Sequence, residues 1–207
     1  PFTVKGTNQA LPNEVTLEIA SAQIKSAILL AGLNTAGHTV VIETNPSRDH
    51  TEKMLSFFGA EINIEEVGKN VQRITLIGRP ELTGRNVFIP GDLSSAAFPI
   101  VAALITPGSD LEIKNVGVNP LRTGLLDCLN EMGADLNIVK VRENSGEPVA
   151  DIRIKYKQLR GITIPATRVP RMIDEYPILS IAASVAQGTS TFKGVGELRI
   201  KESDRLT

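Results

Sequence analysis

A single cysteine, Cys128, excludes an internal disulfide framework and fits a reducing compartment. Neither sign of charge is in excess: 22 Lys and Arg stand against 23 Asp and Glu. That balance points to neither nucleic acid nor an anionic membrane as a partner. No apolar run reaches the roughly 18 residues that suggest a membrane span. The longest, "IKSAILLAGL", is too short and carries Lys25. His38 and His50 have no cysteine or second histidine at ligand spacing, so no metal site is expected. "GVGEL" has neither Rossmann nor Walker spacing and reads as a turn.

What is present is a chain of 207 residues, 42% of them apolar, enough to bury a sizeable core in one large domain or two small ones. Its main organisational signal is internal repetition. Three helix-like segments each end in a small-residue turn that leads into a strand: "SAQIKSAILLAGLNTAGHTVVIE", "SSAAFPIVAALITPGSDLEIK" and "DEYPILSIAASVAQGTSTFKG". Their turn glycines, Gly37, Gly108 and Gly188, lie 71 and 80 residues apart. A strand pair is expected before each helix, in "FTVKG…VTLEIA", "ITLIG…NVFIPG" and "IRIKY…ITIPA". Second helices are expected in "NPSRDHTEKMLSFFGAEINI" and "NPLRTGLLDCLNEMGADLNI", each starting at Asn-Pro and closing on a C-cap glycine, Gly59 or Gly133.

Apolar residues recur at helical spacing, as Ile24, Ala27, Ile28 and Ala31 in one helix and Leu125, Leu129 and Met132 in another. Each unit therefore reads β-α-β-α-β-β, and the fold class is α/β (α+β). The third unit breaks off one turn into its second helix, where "KESDRL" stands in the place of "SRDHTEKML". On this reading the chain is a fragment of a longer one.

The repeat aligns polar positions. Fourteen residues before the turn glycines stand Gln23, Ser94 and Asp174, each in a first helical turn; fourteen after Gly108 and Gly188 stand Arg122 and Glu202. Arg48 takes a similar place in the first unit. Helix N-termini carry free N–H groups and the positive end of the macrodipole, so several of them aimed at one cleft suit a multiply charged ligand.

Each of these residues also has a plainer reading. Ser21 in "SAQIK" and Asp174 in "MIDEYP" are good N-caps, and capping alone accounts for both. Arg48 starts a helix against the dipole; it either shares a phosphate with the helix N–H groups or pairs with Glu52 at i+4. Lys201, Glu202 and Arg205 crowd one turn, fitting an anion with adjacent proton transfer or a solvated helix start. Cys128, among Leu125, Leu129 and Met132, reads as a core-edge thiol rather than a nucleophile.

Four segments in order, "SAQIKSAILLAGL", "GDLSSAAF", "IDEYPIL" and "RIKESDRL", resemble the 5-enolpyruvylshikimate-3-phosphate synthase family over essentially the whole chain. "SAQIK" and "RDHTE" resemble its bacterial class II members; "NPLR" departs from them, with Leu121 where a threonine is usual. The resemblance implies a transferase of aromatic amino acid biosynthesis (the shikimate pathway) in the cytoplasm. It would move the enolpyruvyl group of phosphoenolpyruvate to the 5-hydroxyl of shikimate 3-phosphate and release phosphate. No metal or organic cofactor is implied, and the only partners are the two small-molecule substrates of a monomeric parent.

The resemblance also implies the enolpyruvyl transferase two-domain fold, of which this chain holds about half: residues 1–90 the later part of the first globular half, 91–207 part of the second, with a hinge near 89–92. It implies that Ser21, Ala22, Gln23, Arg48, Asp174 and Lys201 bind shikimate 3-phosphate and that Gln23 and Arg205 bind phosphoenolpyruvate. Asp174 and Glu202 would be the catalytic acid–base pair. The family's N-terminal Lys-Ser-Arg motif, Gly-rich segment and later His-Arg motif are not in this chain, so alone it is expected to be inactive. Alternatives are the sister transferase acting on UDP-N-acetylglucosamine, which would need a loop cysteine, and a non-catalytic ligand-binding fragment.

Overall fold

The computed structural model describes residues 3, 5–7 and 9–207. The chain divides into two compact units, residues 1–86 and 87–207. In the first, β1 (Glu14–Leu17), α1 (Ala22–Leu33), β2 (His38–Glu43), α2 (His50–Phe57), β3 (Ile62–Gly68) and β4 (Val71–Ile77) follow the expected β-α-β-α-β-β order. Their sheet runs β1-β2-β4-β3. β1 and β2 are parallel, with Val15 opposite Val41, and the other pairings are antiparallel. The expected strand in "FTVKG" includes Phe2 and Val4, which lie outside the described residues; Lys5, Gly6 and Thr7 form no regular element.

The second unit repeats the pattern with a reduced start. It contains α3 (Leu93–Ile105), β5 (Asp110–Gly117), α4 (Gly124–Glu131), β6 (Asp135–Asn144) and β7 (Glu147–Lys155), with the sheet order β5-β7-β6. Where β1 stands in the first unit, only a parallel bridge between Gly91 and Val116 forms, so "NVFIP" is not a strand. The third repeat follows with β8 (Thr163–Ile164), α5 (Tyr176–Ser184) and β9 (Thr191–Phe192), β8 and β9 again parallel.

The turn glycines explain why the helices end where they do. Gly37, Gly108 and Gly188 have φ of +96°, +83° and +86°, a region that side chains with a Cβ rarely enter. Gly59 and Gly133 (φ +100° and +88°) close α2 and α4, with Ala60 N–H donating to Leu55 O and Ala134 N–H to Leu129 O. The Asn-Pro pairs, by contrast, do not start helices. α2 begins at His50 and α4 at Gly124, and Asn119 Oδ1 instead accepts from the Leu121 amide at 2.9 Å, making a side-chain turn.

Leu125, Leu129 and Met132 are buried in the second unit's core as their spacing predicts, and Cys128 with them. The stripe expected on α1 is not the buried one. Ile24, Ala27 and Ala31 are exposed, whereas Lys25, Leu29 and Gly32 face the core. Apolar residues surround this helix, so periodicity could not choose a face. What turns Lys25 inward is a pair of carboxylates.

Candidate functional site

Ser21 caps α1 in extended backbone geometry, its Oγ accepting from the Ile24 amide at 3.3 Å. The capping reading of Ser21 therefore holds. Ala22 and Gln23 open the helix beside it, with Gln23 exposed. Two residues on, the Lys25 ammonium lies 2.8 Å from Glu43 Oε2, 2.7 Å from Glu52 Oε1 and 3.3 Å from the Ser47 carbonyl oxygen. All three charged side chains are buried. Ser47 Oγ also donates to Glu43 Oε1. The connection from β2 to α2 is thus tied down over α1.

Arg48 follows Ser47 in that connection. It precedes the α2 N-cap, Asp49, rather than starting the helix, and is half-buried. The alternative pair with Glu52 does not form, because Glu52 points inward to Lys25. Burial pushes the Glu52 carboxyl above its usual range, while Lys25 pulls it down.

In the second unit, Asp174 lies in a 3₁₀ turn, Ile173–Glu175, and α5 takes Glu175 as its N-cap with no side-chain capping bond. The capping reading of Asp174 fails. Its Oδ1 instead accepts from Arg205 Nη1 at 3.1 Å, and Arg205 Nη2 reaches both Glu202 oxygens at 2.7 and 2.8 Å. The Glu202 carboxyl is held below its usual range, by a backbone N–H and then by Arg205. Asp174, Glu202 and Arg205 are therefore brought together. The neighbouring Lys201 ammonium meets Glu197 at 2.6 Å.

"KESDR" is not the first turn of a helix. It is a run of bends after the 3₁₀ helix Val195–Ile200, closed by the Arg205 amide on the Leu198 carbonyl at 3.0 Å. Asp204 accepts from the Leu206 amide at 2.9 Å and from Arg199 at 3.0 Å, local bonds that compete with helix.

Two constellations escaped the sequence reading. One is the buried Lys25–Glu43–Glu52 triad, signalled only by a lysine inside an apolar run and a glutamate closing a β-branched strand. The other surrounds Glu175, which is buried and accepts a hydrogen bond from Ser94 Oγ. Ser94 in turn accepts from Arg122 Nη2 at 2.6 Å. The repeat did align Ser94 and Arg122 with Gln23 and Arg48, but it gave them no partner.

Residues 1–207 match the family model described as EPSP synthase (3-phosphoshikimate 1-carboxyvinyltransferase). The chain is 56% identical over 206 residues to a 3-phosphoshikimate 1-carboxyvinyltransferase of Paramagnetospirillum magneticum, covering 100% of this chain and 46% of that protein. It is 54% identical to the protein of that name from Gluconobacter oxydans, covering 47% of it. The chain thus spans about half the length of the curated relatives it matches. Among solved structures, an EPSP synthase from Acinetobacter baumannii superposes with a TM-score of 0.86 at 48% identity, over 95% of this chain and 43% of that one. The enolpyruvyl transferase NikO from Streptomyces tendae shares the fold, at a TM-score of 0.64 and 20% identity, over 90% of this chain and 44% of that one.

Proposed function

The chain belongs to the EPSP synthase family, and from that premise we propose that it carries part of an enzyme that joins phosphoenolpyruvate to the 5-hydroxyl of shikimate 3-phosphate and releases phosphate. The observation that carries this reading is the Arg205 bridge, which holds Asp174 and Glu202 on one guanidinium. The transfer needs a base for the 5-hydroxyl and an acid for the methylene carbon of phosphoenolpyruvate. The same carbon must lose a proton again as the C–O bond to phosphate breaks. Asp174 takes the hydroxyl proton, and Glu202 gives and recovers the carbon-bound one. Arg205 is the cation for the phosphoenolpyruvate anion, and both carboxylates hold it ready.

In the first unit, Ser21, Ala22, Gln23 and Arg48 are the proposed contacts for shikimate 3-phosphate. The N-terminal end of α1, which these residues open, and a half-buried Arg48 with no carboxylate partner among the described residues support this. The two units correspond, on this reading, to parts of the two globular halves. Cys128 is fully buried, which raises its pKa, so this thiol does not suit the acid role that the sister UDP-N-acetylglucosamine enzyme would need. No helix among the described residues is long and apolar enough to cross a membrane, which accords with a cytoplasmic enzyme.

The test is phosphate release from the two substrates by a full-length synthase carrying this sequence, with Asp174→Asn and Glu202→Gln. Each variant should lose at least about a hundredfold in turnover, the low end for a positioned acid or base. Turnover within tenfold of the parent in both would remove these residues from the chemistry.

A further inference from the structure

The repeat places Ser94 in α3 where Gln23 stands in α1, each fourteen residues before its turn glycine, and Arg122 in a place similar to Arg48. In the first unit this pair is open: Gln23 is exposed and Arg48 has no carboxylate partner among the described residues. In the second unit the same two positions are occupied. Arg122 Nη2 donates to Ser94 Oγ at 2.6 Å, so the one hydroxyl proton of Ser94 is left for Glu175 Oε1. Glu175 is 5% exposed, and the residue before it is Asp174. The carboxylate that Arg122 itself pairs with is Asp92 Oδ1 at 3.3 Å, which is more exposed and already caps α3 through the Ser95 amide at 2.9 Å, so Arg122 reaches Glu175 through Ser94.

We propose that Ser94 and Arg122 form a second anion pocket, a repeat of the one at Gln23 and Arg48, and that Glu175 fills it as an internal ligand that positions Asp174. This inference rests on the reading of Asp174 as the proton acceptor. A buried carboxyl in a short turn is an expensive choice unless its partner is fixed, and here its partner Ser94 comes from another repeat and is itself held by Arg122. With Glu175 held by Ser94, which Arg122 holds in turn, and Asp174 by Arg205, the turn Ile173–Glu175 is held by both of its acidic side chains. Burial raises the Glu175 pKa, Ser94 and Arg122 oppose this, and Asp174 adds to it, so the two carboxyls sense each other.

Two measurements in a full-length synthase carrying this sequence test the proposal. First, Glu175→Ala is titrated with inorganic phosphate by calorimetry. It should gain one saturable site that the parent lacks and that Glu175→Ala/Arg122→Ala loses again. No extra site in Glu175→Ala overturns the pocket, whatever the enzyme's reaction. Second, Glu175→Ala should lower kcat at least tenfold with both KM values within twofold. The isosteric Glu175→Gln, which still accepts from Ser94, should recover most of the rate. Unchanged kcat in Glu175→Ala overturns the positioning role, as does a rise in KM at constant kcat or a Glu175→Gln as slow as the alanine variant. A fully active Asp174→Asn would sink the underlying reading instead, and leaves the phosphate result standing on its own.

Discussion

Arg205 and Asp174, 31 positions apart in sequence, meet at 3.1 Å. The same guanidinium reaches both Glu202 oxygens through its other terminal nitrogen, Nη2, so one cation joins both carboxylates to which we assign the chemistry. Arginine suits this place because its planar fork can serve two anions at once, which a lysine ammonium cannot do with the same geometry.

Replacement of Arg205 by alanine should therefore do more than weaken phosphoenolpyruvate binding. It also leaves Asp174 and Glu202 without their common partner. Loss of one charge-assisted contact costs about 1.5–3 kcal/mol, or roughly one to two orders of magnitude in rate. Steady-state kinetics of a full-length synthase carrying this sequence should show kcat/KM for phosphoenolpyruvate down by at least that factor. Arg205→Lys should be only partly repaired. A lysine variant equal to the parent would show that the fork geometry is irrelevant.

Arg48 gives a contrasting prediction, because none of the described residues provides a carboxylate partner for it. Arg48→Ala should weaken shikimate 3-phosphate binding by about 1.5–3 kcal/mol, the range for a hydrogen bond to a charged group. Its melting temperature should stay within about a degree of the parent, since no internal ion pair is lost. A calorimetric titration with unchanged affinity would return Arg48 to the solvated surface.

These two arginines mark how far the sequence was legible. The repeat was readable because it rests on local chemistry: Gly37, Gly108 and Gly188 must turn the chain through positive φ, and "HTVVIE" favours a strand wherever it lies. Asp174 and Arg205 could be named from the order of the motifs, but their contact spans 31 positions and depends on tertiary packing. Lys25 was hidden for the opposite reason. A lysine in an apolar helix reads as an interruption, and only the fold brings Glu43 and Glu52 to it. "NVFIP" and "KESDR" failed as elements because their local preference was overruled, the first by a lack of strand partners beyond Gly91, the second by side-chain bonds to the backbone.

The Lys25 triad should be costly to break and cheap to replace whole. Lys25→Met leaves two carboxyls buried without their cation, which should destabilise by about 3–5 kcal/mol. Adding Glu43→Gln and Glu52→Gln removes the unpaired charges and should recover part of that loss. Chemical denaturation of the three proteins checks this. A single Lys25→Met as stable as the parent would mean that water already compensates the pair.

The pH dependence of the same site has a definite sign. Glu52 has an ordinary value of 4.5 and is raised in the fold, by burial first, with the nearby Glu43 adding to the rise and Lys25 opposing it. Between the ordinary and the raised value, the folded protein holds a proton that the unfolded chain has released. Stability from this group therefore falls as pH rises through that window, and levels off above it. Glu175, also raised by burial, adds a contribution of the same sign. Carboxyls held low by partners, such as Glu131 beside Arg168, act oppositely and lose stability on acidification, so the whole-protein curve mixes both. Comparison with Glu52→Gln isolates the first effect. The parent's stability minus that of the glutamine variant should decline from about pH 4.5 upward and then become flat, as followed by denaturation at stepped pH. A difference that grows with pH would mean that attraction to Lys25 outweighs burial and that Glu52 is the more stable as a carboxylate.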